Sequence, residues 1–178
     1  MIPAVFLDRD GVINRAVIRN GKPYPPDSVE AVEVAPDVAP ALQRLKSAGY
    51  RLVVVTNQPD VATGRQRREV VDAIHARLLR ELPIDEFRVC YHDDADACDC
   101  RKPKPGLLLR PPAHDLARSV MVGDRWRDIE AGRRAGVGAV VLVENHSGEP
   151  CAIDPDVRVA SLGDAADWIL RQAGGGAR

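Results

Sequence analysis

Pro3-Ala4-Val5-Phe6-Leu7-Asp8-Arg9-Asp10-Gly11-Val12-Ile13-Asn14 carries a short apolar run that ends abruptly on two carboxylates and a glycine. The run is too short for a helix, and an unbroken apolar stretch of this length is how a strand buried on both faces of a parallel sheet reads. An acid pair followed by glycine continues neither a strand nor a helix well. The strand therefore stops at Leu7 and leaves Asp8 and Asp10 at its carboxyl end, where open α/β sheets bind their ligands.

Outward from this segment the pattern repeats. Apolar runs at residues 52–55, 87–91, 120–122 and 139–143 stop respectively at Thr56 and Asn57, at His92, at Asp124 and at Glu144. Helical periodicity occupies residues 36–48, closed by Gly49, and residues 67–82, where Val71, Ile74, Leu78 and Leu82 share a face. A third helix is expected over 128–135, ending at Gly136, and a fourth is opened by Ser161 three residues before Asp164, as in a capping box. Pro111-Pro112 keeps any helix after Gly106 short. Strands alternating with helices predict an α/β fold with a mainly parallel sheet. The 26 residues between Asp10 and Asp37, with Asn20-Gly21 as a tight turn, make a flap and are too few for a cap domain.

At 178 residues, against roughly 150 per domain, the chain reads as one domain over 1–173 with a flexible tail at 174–178. A domain of this size buries about 70% of its unfolded surface, so a monomer is expected. The 25 Lys+Arg and 26 Asp+Glu leave a net charge of -1, and 4% aromatic residues offer few stacking surfaces, which argues against a nucleic acid partner. No apolar run approaches the ~20 residues of a membrane span, and Asp8 and Arg9 come too early for a signal peptide. A cytoplasmic location is expected.

The chemistry concentrates where the strands end. Asp8 and Asp10 can hold a hard cation through one carboxylate and one backbone carbonyl, leaving the other carboxyl to move a proton. An aspartate can also accept a phosphoryl group, which divides a difficult hydrolysis into two easier steps. Thr56, Asn57 and Gln58 offer a hydroxyl and amides to a phosphoryl oxygen, Lys102 a fixed charge to phosphate and nucleophile, and Arg101 and Arg125 further cations to a substrate. Asp124 adds a carboxylate for the metal, with Asp128 orienting the set from behind. Each residue alone has a bland reading as a turn, cap or surface charge, but their joint order along the strand ends does not.

Cys90, His92, Cys98 and Cys100 crowd into one segment. In a reducing compartment such crowding points to metal rather than disulfide, and a closed Cys3His set suits tetrahedral structural zinc in a loop over 90–100. Because Cys100 abuts Arg101 and Lys102, pinning this loop would aim both cations. His75 and His114 are read as surface or satisfied histidines, and His146 and Cys151 are assigned no role.

In this order the residues resemble the haloacid dehalogenase (HAD) superfamily of phosphatases, its four motifs matched by Asp8/Asp10, Thr56, Lys102 and Asp124. The resemblance implies a Rossmann-like three-layer sandwich, Mg2+ dependence and an aspartyl-phosphate intermediate. Asp8 would attack phosphorus, Asp10 would act as acid and base, and Asp8, Asp124 and the Asp10 carbonyl would hold Mg2+. The zinc loop, Thr56-Asn57-Gln58 and Cys98-Asp99-Cys100-Arg101-Lys102-Pro103 narrow the resemblance to the branch of heptose-bisphosphate and histidinol-phosphate phosphatases, whose substrates are small sugar or alkyl phosphates. The heptose enzymes usually continue Ser-Gly-x-Ala-Arg-Gly after Thr-Asn-Gln. Here stand Pro59-Asp60-Val61-Ala62-Thr63-Gly64, with that Arg missing and an acid added. From other classes, a phospho-accepting receiver module would carry its acids on the third strand and has no use for a zinc loop, while a sugar-phosphate sensor would leave the acid and base set idle.

Overall fold

The computed structural model describes residues 1–20, 22–144 and 151–175. Gly21 of the expected turn, His146 and the last residues of the expected tail lie outside them. Six strands form one sheet: β1 (Ala4–Leu7), β4 (Arg51–Asn57), β5 (Glu86–Cys90), β6 (Val120–Gly123), β7 (Ala139–Val143) and β8 (Val157–Val159). Their order is β5-β4-β1-β6-β7-β8, and every neighbouring pair is parallel. β2 (Val17–Arg19) and β3 (Lys22–Tyr24) form a separate antiparallel ribbon after β1, so the expected hairpin is present.

Side chains alternate across the sheet and build a core on each face. Val5, Leu7, Leu52, Val54, Val122 and Val141 pack with α1 (Val38–Ser47), α2 (Arg68–Glu81) and α5 (Leu162–Gly175). Ala4, Phe6, Val53, Val55, Met121 and Val140 pack with α3 (Gly106–Leu109) and α4 (Trp126–Ala135). These are the three layers the resemblance implies. The four-residue α3 agrees with the limit set by Pro111-Pro112, and its free carbonyls at Leu107 and Leu108 accept from the buried Arg88 guanidinium (3.1 and 3.2 Å). Ser161 caps α5 as expected, its Oγ accepting from the Asp164 N–H (3.2 Å).

Two elements differ from expectation. α4 starts at Trp126 rather than Asp128, because the Asp128 carboxylate folds back to accept from the Arg125 N–H (3.0 Å) and closes the first turn from within. β8 was not anticipated; three residues, Val-Arg-Val, on a sheet edge carry too short an alternation to register as a strand.

β1 lies at the centre, between β4 and β6. From it the chain builds outward on one side through β4 and β5, then returns to the other side at β6. The carboxyl end of β1 is therefore the topological switch point, and Asp8 stands on it.

Candidate active site

Asp8 is fixed at its base by its N–H, which donates to the Val122 carbonyl (2.9 Å), so the chain remains in the sheet until the acid itself. It then turns sharply: the N–H groups of Ile13 and Asn14 both reach back to the Arg9 carbonyl (2.8 and 3.0 Å), and Gly11 adopts a left-handed φ of 95°. The turn brings Asp8 and Asp10 to the wall of a cavity of about 340 Å3 that Thr56, Asn57, Asp60, Arg101, Lys102, Asp124, Arg125, Arg127 and Asp128 also line. Tyr24 and the prolines beside it form the wall on the side of the β2–β3 ribbon.

Lys102 is the hub. Its buried ammonium donates to Asp8 Oδ1 (2.7 Å), Asp128 Oδ1 (2.6 Å) and the Val55 carbonyl (2.7 Å). These partners engage all the protons an ammonium has. The charge therefore serves the Asp8 carboxylate, and a direct contact to phosphate, as the sequence suggested, would require giving one of them up. Burial works against the charged amine, but Asp128 and Asp8 more than offset it and hold the Lys102 pKa above the usual lysine range. Gly123 is required for this arrangement, because an added Cβ would overlap the Asp128 side chain.

Asp8, Asp124 and Asp128 bring their carboxylates together, all buried, in a group whose ligand atoms lie within 4.8 Å of one another. Burial lifts the Asp8 carboxyl to about 6; Lys102 opposes the rise and Asp128 adds to it. Asp124 is pushed well above the usual carboxylate range by burial, then by Asp8 and Asp128. One lysine does not neutralise three buried carboxylates, and oxygen ligands of this kind suit Mg2+. The donor set fits that ion. Asp8 and Asp124 could hold it, and Asp128, whose oxygens go to Lys102 and to the Arg125 N–H, could orient them.

The Asp10 carboxylate is not part of that group. It faces Arg9, Asn14 and Gln58, and the Arg9 guanidinium, with hydrogen bonds from all three, keeps its pKa below the usual range although burial pushes the other way. Any share Asp10 takes in metal binding falls to its backbone carbonyl.

Two expected substrate contacts are placed otherwise. Gln58 is buried and does not line the cavity; its amide donates to Asp10 Oδ2 (3.0 Å) and to Thr56 Oγ1 (2.9 Å). With that oxygen engaged as acceptor, the Thr56 hydroxyl proton is left to a ligand. Asn57 lines the cavity, but its amide holds the Lys102 backbone. Arg101 and Arg125 do line the cavity, and Arg101 is steadied through Nε by Asp94 (2.7 Å). Arg9, buried completely, and Arg127 were missed by the sequence reading; nothing in a lone arginine between two aspartates announces burial.

The sulfurs of Cys90, Cys98 and Cys100 lie 3.2 to 3.7 Å apart, and His92 Nδ1 lies 3.6 Å from Cys90 and 3.3 Å from Cys100. A zinc ion with bonds of about 2.0–2.3 Å to nitrogen and sulfur sets ligand separations of roughly 3.5–3.8 Å, so the cluster fits it. Burial raises the Cys90 thiol pKa, and hydrogen bonding with Cys100 adds to the rise. At Cys98 burial also opposes ionisation, but the Arg101 backbone N–H and Cys100 outweigh it and bring the thiol to about 7. Lys104 braces the loop by donating to the Cys98 carbonyl (2.6 Å).

An arginine rim beside a buried, cation-compensated carboxylate suits a substrate that brings its own negative charge, and together with the likenesses that follow it places the protein among the phosphoric monoester hydrolases. A model of the haloacid dehalogenase-like hydrolases matches residues 14–136. The chain belongs to that family. It is 36% identical to the D-glycero-beta-D-manno-heptose-1,7-bisphosphate 7-phosphatase of Salmonella typhi, covering 95% of this chain and 90% of that one. The enzyme of the same name from Escherichia coli (strain K12) is 38% identical, with 95% and 88% covered. The D,D-heptose 1,7-bisphosphate phosphatase from B. bronchiseptica complexed with magnesium and phosphate superposes with a TM-score of 0.79 at 30% identity, covering 96% of this chain and 99% of that one. Among the described residues no helix is long and apolar enough to cross a membrane.

Proposed function

We propose that this protein removes the 7-phosphate of D-glycero-D-manno-heptose 1,7-bisphosphate through an aspartyl-phosphate on Asp8. The observation that carries the reading is the buried Lys102–Asp8 contact (2.7 Å) at the switch point, on the wall of an arginine-rimmed cavity. Lys102 compensates the Asp8 charge and holds its carboxylate in place. Asp10, ionised in the free protein, takes a proton from the monoanion of the bound phosphate ester by releasing one of its donors. An Asp8 oxygen then attacks phosphorus and the P–O ester bond breaks as Asp10 delivers that proton to the departing sugar oxygen. Asp10 then takes a proton from water, whose oxygen attacks phosphorus and releases Asp8. Thr56 donates to a phosphoryl oxygen throughout. Mg2+, held by Asp8, Asp124 and the Asp10 carbonyl, supplies positive charge to the transferring group.

Relatives at 36–38% identity support the heptose substrate, and Arg101, Arg125 and Arg127 at the cavity supply charge for a second phosphate. Zinc bound by Cys90, His92, Cys98 and Cys100 fixes the loop that carries Arg101 and Lys102. We take residues 1–173 as one monomeric, cytoplasmic domain. Histidinol phosphate is the second reading, favoured by Asp60: an acid on the cavity wall suits a cationic group better than a second phosphate.

Steady-state kinetics with Mg2+ on the heptose bisphosphate, histidinol phosphate and an aryl phosphate separate these readings. The bisphosphate is expected to have the highest kcat/KM. A higher value for histidinol phosphate overturns the heptose reading alone, and no hydrolysis of any of them overturns the phosphatase reading.

A further inference from the structure

Asp10 is held more completely than a proton carrier at a cavity wall requires. Arg9 grips it in a fork, Nε to Oδ1 (3.1 Å) and Nη2 to Oδ2 (2.8 Å). Asn14 adds a bond to Oδ1 (3.0 Å) and Gln58 one to Oδ2 (3.0 Å). Each oxygen thus accepts two donors; the fork fixes the plane of the carboxylate and favours its ionised form, so Asp10 carries a proton only by releasing one donor, with the fork still holding the plane.

The fork itself is anchored from outside the motif. Arg9 is fully buried, and its Nη1 lies 2.9 Å from Nε2 of His75, a buried residue of α2 that is 66 positions away in sequence. Burial, reinforced by the Arg9 charge, brings the His75 pKa down to about 3, so its ring is neutral at working pH. Since a guanidinium only donates, Nε2 must be the acceptor and the ring proton sits on Nδ1, a tautomer assigned from this contact. The ring stacks on Phe87 of β5, with centroids 4.4 Å apart and planes 22° from parallel. Neither Arg9, His75 nor Phe87 lines the cavity.

We propose that His75 and Arg9 are positioning residues for the acid/base Asp10, His75 serving as the neutral acceptor that locks the Arg9 fork in register. The inference rests on the phosphatase reading and on the role that reading gives Asp10. Without His75 an Nη1 donor is stranded in a buried site, the guanidinium can rotate towards another acceptor, and the Asp10 plane is no longer fixed.

Misplacing a general acid has a signature that loss of fold or of substrate binding lacks. A poor leaving group such as a sugar alkoxide needs the proton as the ester bond breaks, whereas 2,4-dinitrophenolate departs without it. Because kcat/KM reports steps up to the first irreversible one, it isolates formation of the aspartyl-phosphate from its hydrolysis. The test compares kcat/KM for the heptose bisphosphate and for 2,4-dinitrophenyl phosphate in the wild type, His75→Leu, His75→Gln and Arg9→Lys, each checked for melting temperature and zinc content.

His75→Leu is expected to lose about 10–100-fold on the alkyl phosphate and less than about threefold on the aryl phosphate, the range set by displacing a general acid. His75→Gln, which keeps an acceptor, recovers most of the loss. Should His75→Leu fail to fold, Arg9→Lys decides, since it keeps the charge and loses the fork; the same selective loss is expected. Equal losses on both substrates, or none in a folded variant, overturn the inference. A wild type inactive on both would instead overturn the phosphatase reading on which it rests.

Discussion

Asn57 and Lys102 exchange two hydrogen bonds, the Asn57 amide donating to the Lys102 carbonyl (3.0 Å) and accepting from the Lys102 N–H (3.1 Å). The last residue of β4 thus holds the backbone of the lysine whose ammonium reaches Asp8. Through this clamp the cysteine-bearing loop segment and the central sheet position one side chain together.

Asn57→Ala should release the Lys102 backbone while leaving every proposed catalytic group in the chain. We expect kcat to fall about 10–100-fold, as small displacements in an active site do. Stability should drop by about 1–3 kcal/mol, because the Lys102 backbone groups lose their partner in a partly buried place. Urea unfolding and steady-state kinetics check both, and an unchanged kcat would show that the clamp is dispensable.

Arg101→Ala should raise KM and lower kcat, since a rim guanidinium grips the phosphate both before and during transfer. Arg101→Lys should recover part of kcat and little of KM, because an ammonium cannot make the bidentate contact. A change confined to kcat would place Arg101 away from ground-state binding.

Metal analysis of purified protein should find about one equivalent of zinc, and none in a Cys98→Ser/Cys100→Ser variant, since closed four-ligand sites bind tightly at neutral pH. Without zinc the loop loses its tie and activity falls even with Mg2+ in excess. Zinc content unaltered in the double variant would contradict the ligand assignment.

The raised Asp8 pKa sets the pH dependence of Mg2+ stabilisation. Without metal, Asp8 titrates at about 6 when folded against an ordinary value of 3.8. Between those values the folded state holds a proton that the unfolded state has lost, so this group lowers stability as pH rises through the window, by up to about 1.4 kcal/mol per pH unit. Mg2+ relieves the cost of an ionised Asp8 and stabilises little where Asp8 is protonated. Its effect on the melting temperature should therefore be larger at pH 7.5 than at pH 5. Equal effects at the two pH values would remove Asp8 from the metal site.

What could be read from the sequence follows from physics that acts locally. Buried parallel strands are short and unbroken in their apolar residues, so the polar groups ending β1, β4 and β6 stood out, as did the cysteines and histidine gathered in one loop. What could not be read depends on side chains meeting across the fold. His75 lies on α2 with the periodicity of an ordinary helix, and only the folded chain brings it to Arg9. The amides of Asn57 and Gln58 were right in place and different in direction, because an amide serves a ligand or a neighbour equally well until its neighbours are known. Asp128 stood too close to Asp124 for the sequence to show that its oxygens go to Lys102 and to the α4 backbone.

The most direct test of phosphoryl transfer to Asp8 is to trap it. Enzyme quenched during Mg2+-dependent turnover and treated with borohydride should yield a peptide in which residue 8 is reduced to homoserine, since an acyl phosphate is reduced and a free carboxylate is not. Asp8→Asn should give neither this product nor phosphate release. Reduction at any other residue, or sustained phosphate release by Asp8→Asn, would contradict the account.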